Sequence, residues 1–151
     1  KNIPLYVTDK GLSVIKEFEG LVLKPYMDAG GKLTVGYGHL VRKGEQYGTI
    51  SRTRAEAMFR EDVQVAEAYV KRLVKVPLNP NQYSALVSLV FNIGPTQFRR
   101  STLLRKLNVE DYTGAAEEFL RWQYVDKRPV RGLMRRRIAE RALFLEGERS
   151  A

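Results

Sequence analysis

Cysteine is absent from this 151-residue chain, and histidine occurs once, at His39. The first absence removes disulfides and thiolate zinc sites as ways to hold the fold, and the second removes any multi-histidine metal centre. No metal and no cofactor is expected, so the chemistry must come from oxygen groups. Long apolar runs are also missing: each is interrupted well before the ~18 residues that a membrane span requires, and Lys1 to Gly20 lacks the apolar stretch of a signal peptide. The chain reads as soluble, with no transmembrane segment. It has no internal repeat, low-complexity tract or serine- and glycine-rich linker, which leaves one domain over 1–151 as the expectation. A chain of this length buries roughly two-thirds of the surface it exposes when unfolded.

Acidic residues are the minority charge. Lysine and arginine number 26 against 17 aspartates and glutamates, a net charge of +9 that draws the chain toward polyanions. Nucleic acid, anionic lipid and bacterial envelope polymers all qualify. The basic residues are spread along the chain without a recognisable reader motif, so nucleic acid is not an expected partner.

Helix dominates after Ser51. Apolar residues at Ala55, Met58, Phe59, Val63, Ala66, Tyr69, Val70 and Leu73 recur at helical spacing, which predicts one long amphipathic helix from Ser51 to Val74, capped by Ser51 or Thr53. Asn79-Pro80 opens a second helix and Gly94-Pro95 closes it. Between them Leu86, Val87, Leu89, Val90, Phe91 and Ile93 point in too many directions for a surface helix, so this segment is expected at the centre of the core. Shorter helices are expected at about Ser101–Leu107, Glu110–Arg121 and Leu133–Glu146. Trp122 reads as core, and Arg135-Arg136-Arg137 as a solvated face or a contact with anionic envelope.

Residues 21–48 differ, with glycines at 30, 31, 36, 38, 44 and 48 between short β-type runs, the pattern of a small hairpin-rich sheet. The expected fold is α+β and mainly helical. A small β-containing lobe over about 20–50 is joined by the long helix to a larger helical lobe over about 75–147, which also takes in the N-terminal helix. A ligand would sit in the cleft between them.

Two carboxylates flank the start of that sheet. With Asp9–Glu19 drawn as a helix, Glu19 falls between Leu12 and Ile15 on the apolar face and Glu17 on the solvated side. A carboxyl held against apolar side chains keeps its proton more readily, as a general acid must. Periodicity alone does not separate this from a helix-end glutamate paired with one of the many arginines. If Lys32–His39 is a strand, Thr34, Gly36 and Gly38 share one face, bared by the two glycines for close approach of a ligand. Asp28 stands at a turn with Gly30 and Gly31, where it reads either as an Asx-turn residue or as a second carboxylate. A protonated acid, a charged carboxylate and a nearby hydroxyl are the parts of a glycosidase.

At these residues the sequence resembles the phage-type lysozymes of glycoside hydrolase family 24. Their pattern of a glutamate, eight residues, an aspartate, five residues and a threonine is met by Glu19, Asp28 and Thr34. The frame around it also matches, at Glu19-Gly20, Leu23, Tyr26, Asp28, Gly31, Thr34, Gly36 and Gly38-His39. The likeness continues through Asn81-Gln82-Tyr83, Phe91-Asn92-Ile93-Gly94, Ser101 to Arg105, and Gly132 to Arg137 with Glu140, and so spans about Thr8 to Gly147.

The resemblance implies a lysozyme-like two-lobe fold and hydrolysis of the β-1,4 bond between N-acetylmuramic acid and N-acetylglucosamine in peptidoglycan, causing lysis of the host. It implies Glu19 as acid, with Asp28 and Thr34 holding a water, and inversion at the anomeric carbon. Phe91 and Asn92 would face the cleft, with core packing and helix capping as their competing roles. His39 would pair with an aspartate on the long helix, here Asp62, in a structural role. Other readings are a catalytically silent peptidoglycan-binding module and a nucleic-acid binder. The chain is expected to be a monomer, made in the host cytoplasm and acting on the wall in the periplasm.

Overall fold

The computed structural model describes residues 5–28 and 30–146, so both ends of the expected domain, 1–4 and 147–151, lie outside the described residues. The first helix, α1 (Asp9–Glu19), is capped by Thr8, whose side chain accepts from the Gly11 amide. A small antiparallel sheet follows in the order β1 (Val22–Met27), β2 (Leu33–Gly36), β3 (His39–Leu40). The long helix α2 (Arg52–Leu73) is capped by Ser51 rather than Thr53. It buries Ala55, Met58, Phe59, Val63, Ala66 and Val70, the stripe that periodicity marks out. It packs on β2 and β3 at one end and on α3 (Pro80–Ile93) along its length, and so joins the lobes.

Helix α3 is the core. Asn79 and Gln82 form a reciprocal capping box, with bonds of 2.7 and 2.9 Å, and every residue from Gln82 to Val90 is buried. Burial on all sides explains why its apolar residues keep no single face. Around it stand α1, α2 and α7 (Arg131–Glu146), with Phe98, Leu103, Leu107, Phe119 and Phe144 closing the far side. None of the described helices is long and apolar enough to cross a membrane.

Several boundaries differ from the sequence reading, each for a local reason. The strand expected over Lys32–His39 stops at Gly36. Gly36 and Gly38 take φ of 70° and 72°, so the chain reverses and β3 returns along β2, pairing Val35 with His39. The shared glycine face expected there is therefore not formed. Pro95 ends α3 but also starts a short helix, α4 (Pro95–Arg99), before α5 (Thr102–Asn108). The helix expected from Glu110 begins only at Tyr112, as α6 (Tyr112–Glu118), because Glu110 turns to φ 64° and Asp111 supplies the cap. Its last turn tightens to a 3₁₀ form over Phe119–Arg121. A hairpin of β4 (Tyr124–Val125) and β5 (Arg128–Pro129) follows, and α7 begins at Arg131, ahead of the expected Leu133. Trp122 is only half-buried against the core. Of the three consecutive arginines only Arg135 is exposed, whereas Arg136 and Arg137 are 3% and 0% exposed. They are interior groups, and a solvated face is ruled out for them.

Candidate active site

Glu19 ends α1, where a negative charge meets the unfavourable end of the helix dipole. A cation from another helix answers it: Arg136 Nη1 on α7 donates to Glu19 Oε2 at 2.6 Å, with the two side chains 4% and 15% exposed. The apolar pocket expected around this carboxyl is thus replaced by a guanidinium. Gly38 presses on its other side. A Cβ at position 38 would lie 2.2 Å from Glu19 Oε1, so close approach and positive φ both require glycine there.

Asp28 and Thr34 are brought together by the backbone of Lys32. Asp28 Oδ1 accepts from the amides of Gly30 (2.9 Å) and Lys32 (2.8 Å), and the Asp28 amide donates to the Lys32 carbonyl at 2.8 Å. Thr34 is 6% exposed, and its hydroxyl donates to that same carbonyl at 3.1 Å. The Asx turn is therefore real, and it uses one carboxylate oxygen only. The hydroxyl proton of Thr34 is spent, which leaves its oxygen as an acceptor.

A cleft of about 250 Å³ separates the lobes, with Gly38 and Leu40 on the β side, Asp62 and Tyr69 on α2, and Phe91 at the end of α3. Glu19, Asp28 and Thr34 are not among its lining residues; Gly38 lines it and touches Glu19, and is the link. Of the other expected ligand-facing residues, Phe91 is half-buried, its ring 5.8 Å from that of Phe59, and also borders the cleft, so packing and exposure to the cleft coexist. Gly36 is buried and turned toward Ile50 and Ala55. Asn92 is exposed but lies outside this lining, and its Oδ1 accepts from Arg137 Nη2. The capping bond at this helix end comes instead from the Gly94 amide to the Val90 carbonyl.

Sequence reasoning missed the buried network behind Glu19. Glu140 Oε2 accepts from Ser88 Oγ (2.5 Å) and Arg136 Nε (3.0 Å), and Arg136 Nη2 donates to the Ser88 carbonyl. Burial works against the charge on Arg136, but Glu140 and Glu19 outweigh it and hold the guanidinium above its ordinary pKa. Arg137 is less well served. Glu140 Oε1 lies 3.4 Å from its Nη1 without making a hydrogen bond, and burial pushes its pKa down to about 10. The available signal was the spacing of Arg136 and Arg137, i,i+4 and i,i+3 with Glu140, on a predicted helix.

His39 and Asp62 do meet, at 2.8 Å from Nδ1 to Oδ2, which ties β3 to α2. Glu45 was not foreseen as a second partner, at 3.3 Å from Nε2. Burial raises the Asp62 pKa against the opposing pull of the His39 bond. The Arg42 amide, followed by His39, holds Glu45 below its ordinary value.

Comparison with known proteins adds to this geometry. Residues 16–140 match the family described as phage lysozyme. An endolysin of Acyrthosiphon pisum secondary endosymbiont phage 1 is 47% identical over 146 residues, covering 93% of this chain and 98% of the relative. The endolysin of Salmonella phage P22 is 43% identical, covering 93% and 99%. The solved muramidase domain of SpmX from Asticaccaulis excentricus superposes with a TM-score of 0.84 at 33% identity, covering 94% and 99%.

Proposed function

This chain belongs to the phage lysozyme family and hydrolyses peptidoglycan, and on that premise we propose that Glu19, Asp28 and Thr34 cut the β-1,4 bond after N-acetylmuramic acid with inversion. Glu19 gives a proton to the glycosidic oxygen, and Arg136, already bonded to it, receives the carboxylate charge that forms as the proton leaves. A water donates one hydrogen to Thr34 Oγ1 and the other to the free oxygen of Asp28. With both hydrogens engaged, its lone pair points away from the hairpin toward the anomeric carbon. Asp28 then takes the water's proton as base.

The observation that carries this reading is the bonding of the hairpin. The Thr34 proton goes to the Lys32 carbonyl, and both backbone donors to Asp28 fall on Oδ1, so two acceptors remain on one turn. In the setting we propose, the chain is a monomer in a single 1–151 domain, made in the host cytoplasm and acting in the periplasm. Its +9 charge brings it to the anionic envelope. Mass analysis of products from purified peptidoglycan tests the reaction class. Reducing muramic acid ends are expected, and anhydro ends would show that no water attacks and would overturn the reading.

A further inference from the structure

A carboxyl proposed as a proton donor stands 2.6 Å from a cation, since Arg136 Nη1 donates to Glu19 Oε2 at that distance. An opposite charge so close favours the ionised form of a carboxyl, whereas a general acid has to arrive protonated. A second carboxylate stands on the same guanidinium. Glu140 is fully buried, one turn beyond Arg136 on α7. Its Oε2 accepts from Arg136 Nε at 3.0 Å and from Ser88 Oγ at 2.5 Å, and Arg136 Nη2 donates to the Ser88 carbonyl at 3.1 Å.

A guanidinium is planar and holds its donors in a fixed fork. With Nε and Nη2 both tied to Glu140 and Ser88, the direction of Nη1 is set, and it meets Glu19. Packing alone does not ask for such an arrangement, because well-fitted apolar residues often replace a buried ion pair at no loss of stability. The two carboxylates are also unequally served. Glu140 has a hydroxyl and two cations, with Arg137 Nη1 at 3.4 Å from its Oε1, where Glu19 has Arg136. Of two like charges on one cation the less stabilised takes up the proton first, and that is Glu19.

We propose that Glu140 is a positioning residue for the acid: it aims Arg136 at Glu19 and, as a second anion on that guanidinium, takes up enough of its charge for Glu19 to carry a proton to the glycosidic oxygen. The proposal rests on the reading of Glu19 as the acid given above. Neighbouring charges are engaged elsewhere. Helix α3 has no charged residue, and its Tyr83 donates to Glu67 of α2. On α1, Lys16 meets Glu56 of α2 at 2.6 Å, Lys10 meets Glu146 at 2.7 Å, and Glu17 is exposed. Beside α7, Glu117 pairs with Arg141, and Glu118 with Lys106 and Arg121. Next to Gly38, His39 is held by Asp62 and Glu45.

The test is the pH dependence of kcat/KM on purified peptidoglycan, read as release of reducing ends, for wild type, Glu140→Gln and Glu140→Asp at matched circular dichroism. Loss of the essential acid's proton sets the alkaline limb of such a profile. Glu140→Gln keeps the shape but removes the charge, so the limb should move down by about one pH unit, a roughly tenfold loss of activity at any pH above it. Glu140→Asp restores the charge and should recover most of that shift. A limb that stays in place while activity falls equally at every pH would assign Glu140 to holding the fold and overturn the proposal, as would a limb that moves up. Glu140→Gln leaves one buried cation too many; the double variant Glu140→Gln with Arg137→Met balances the buried charges again and carries the same prediction if the single variant does not fold. Full activity in Glu19→Gln would remove the acid reading itself, an outcome distinct from an unmoved limb.

Discussion

Glu19 and Glu17 differ by two positions and by everything that surrounds them. Glu19 meets Arg136 and Gly38, whereas Glu17 stays on the solvated side of α1. Glu19→Gln should therefore reduce lysis by about 10²–10⁴-fold, the usual worth of a general acid, and Glu17→Gln should be nearly silent. Turbidity assays at matched circular dichroism check this, and equal losses would remove the distinction. Acidification tests the lobe junction. Glu45 has a pKa below its ordinary 4.5, so its contribution to stability is present above that value and is lost as pH falls through the lowered one. Asp62, raised from 3.8 by burial, works in the opposite sense: its contribution is present below 3.8 and is lost as pH rises through the raised value. The Tm difference between wild type and Glu45→Gln should then be full at neutral pH and close in acid, as the pH falls below 4.5 and through the lowered Glu45 pKa. A difference that widens in acid would contradict this. The spacing of Glu19, Asp28 and Thr34 was legible because it lies within one stretch of chain. The Arg136 contact was not, since it joins residues 117 apart and periodicity reports only neighbours.

Among the elements, those with sustained periodicity were legible and those set by single backbone conformations were not. The buried stripe of α2 and the all-round burial of α3 follow from their apolar spacing. The hairpin of β4 and β5 gave no signal, because its two-residue turn is Asp126-Lys127 where asparagine-glycine or a similar pair is usual. Both residues nevertheless take positive φ, 49° and 67°, the requirement of a type I′ turn. The double substitution Asp126→Asn with Lys127→Gly should relieve that strain and stabilise the protein by about 0.5–1 kcal/mol, read as a rise in the denaturant midpoint. A lower midpoint would mean that the turn is held by contacts of the Asp126 or Lys127 side chains. The same blindness to local backbone explains the extended reading of Lys32–His39, which two glycines of positive φ convert into a reversal.

At the scale of the whole molecule, the proposed mechanism divides its chemistry between the lobes: Glu19 stands on α1 within the helical lobe, Asp28 and Thr34 stand on the hairpin, and α2 packs against β2, β3 and α3. If, as proposed, the +9 charge acts on approach to the envelope rather than in the reaction, lysis of cells should weaken as salt shortens screening to ~10 Å at about 0.1 M, while cleavage of small neutral oligosaccharides changes much less. Equal salt slopes for both substrates would place the charge effect inside the cleft. The central claim is that a water, held by Asp28 and Thr34 opposite Glu19, attacks the anomeric carbon. An enzyme of this kind needs about 6.5–9.5 Å between its carboxyls, against roughly 5–5.5 Å when the second carboxylate attacks by itself. Proton NMR of the nascent reducing end, read before mutarotation, tests it most directly. The account predicts the α-anomer first from the β-linked substrate, slowed by Asp28→Asn and by Thr34→Ala; a β-anomer formed first would make Asp28 the nucleophile and contradict it.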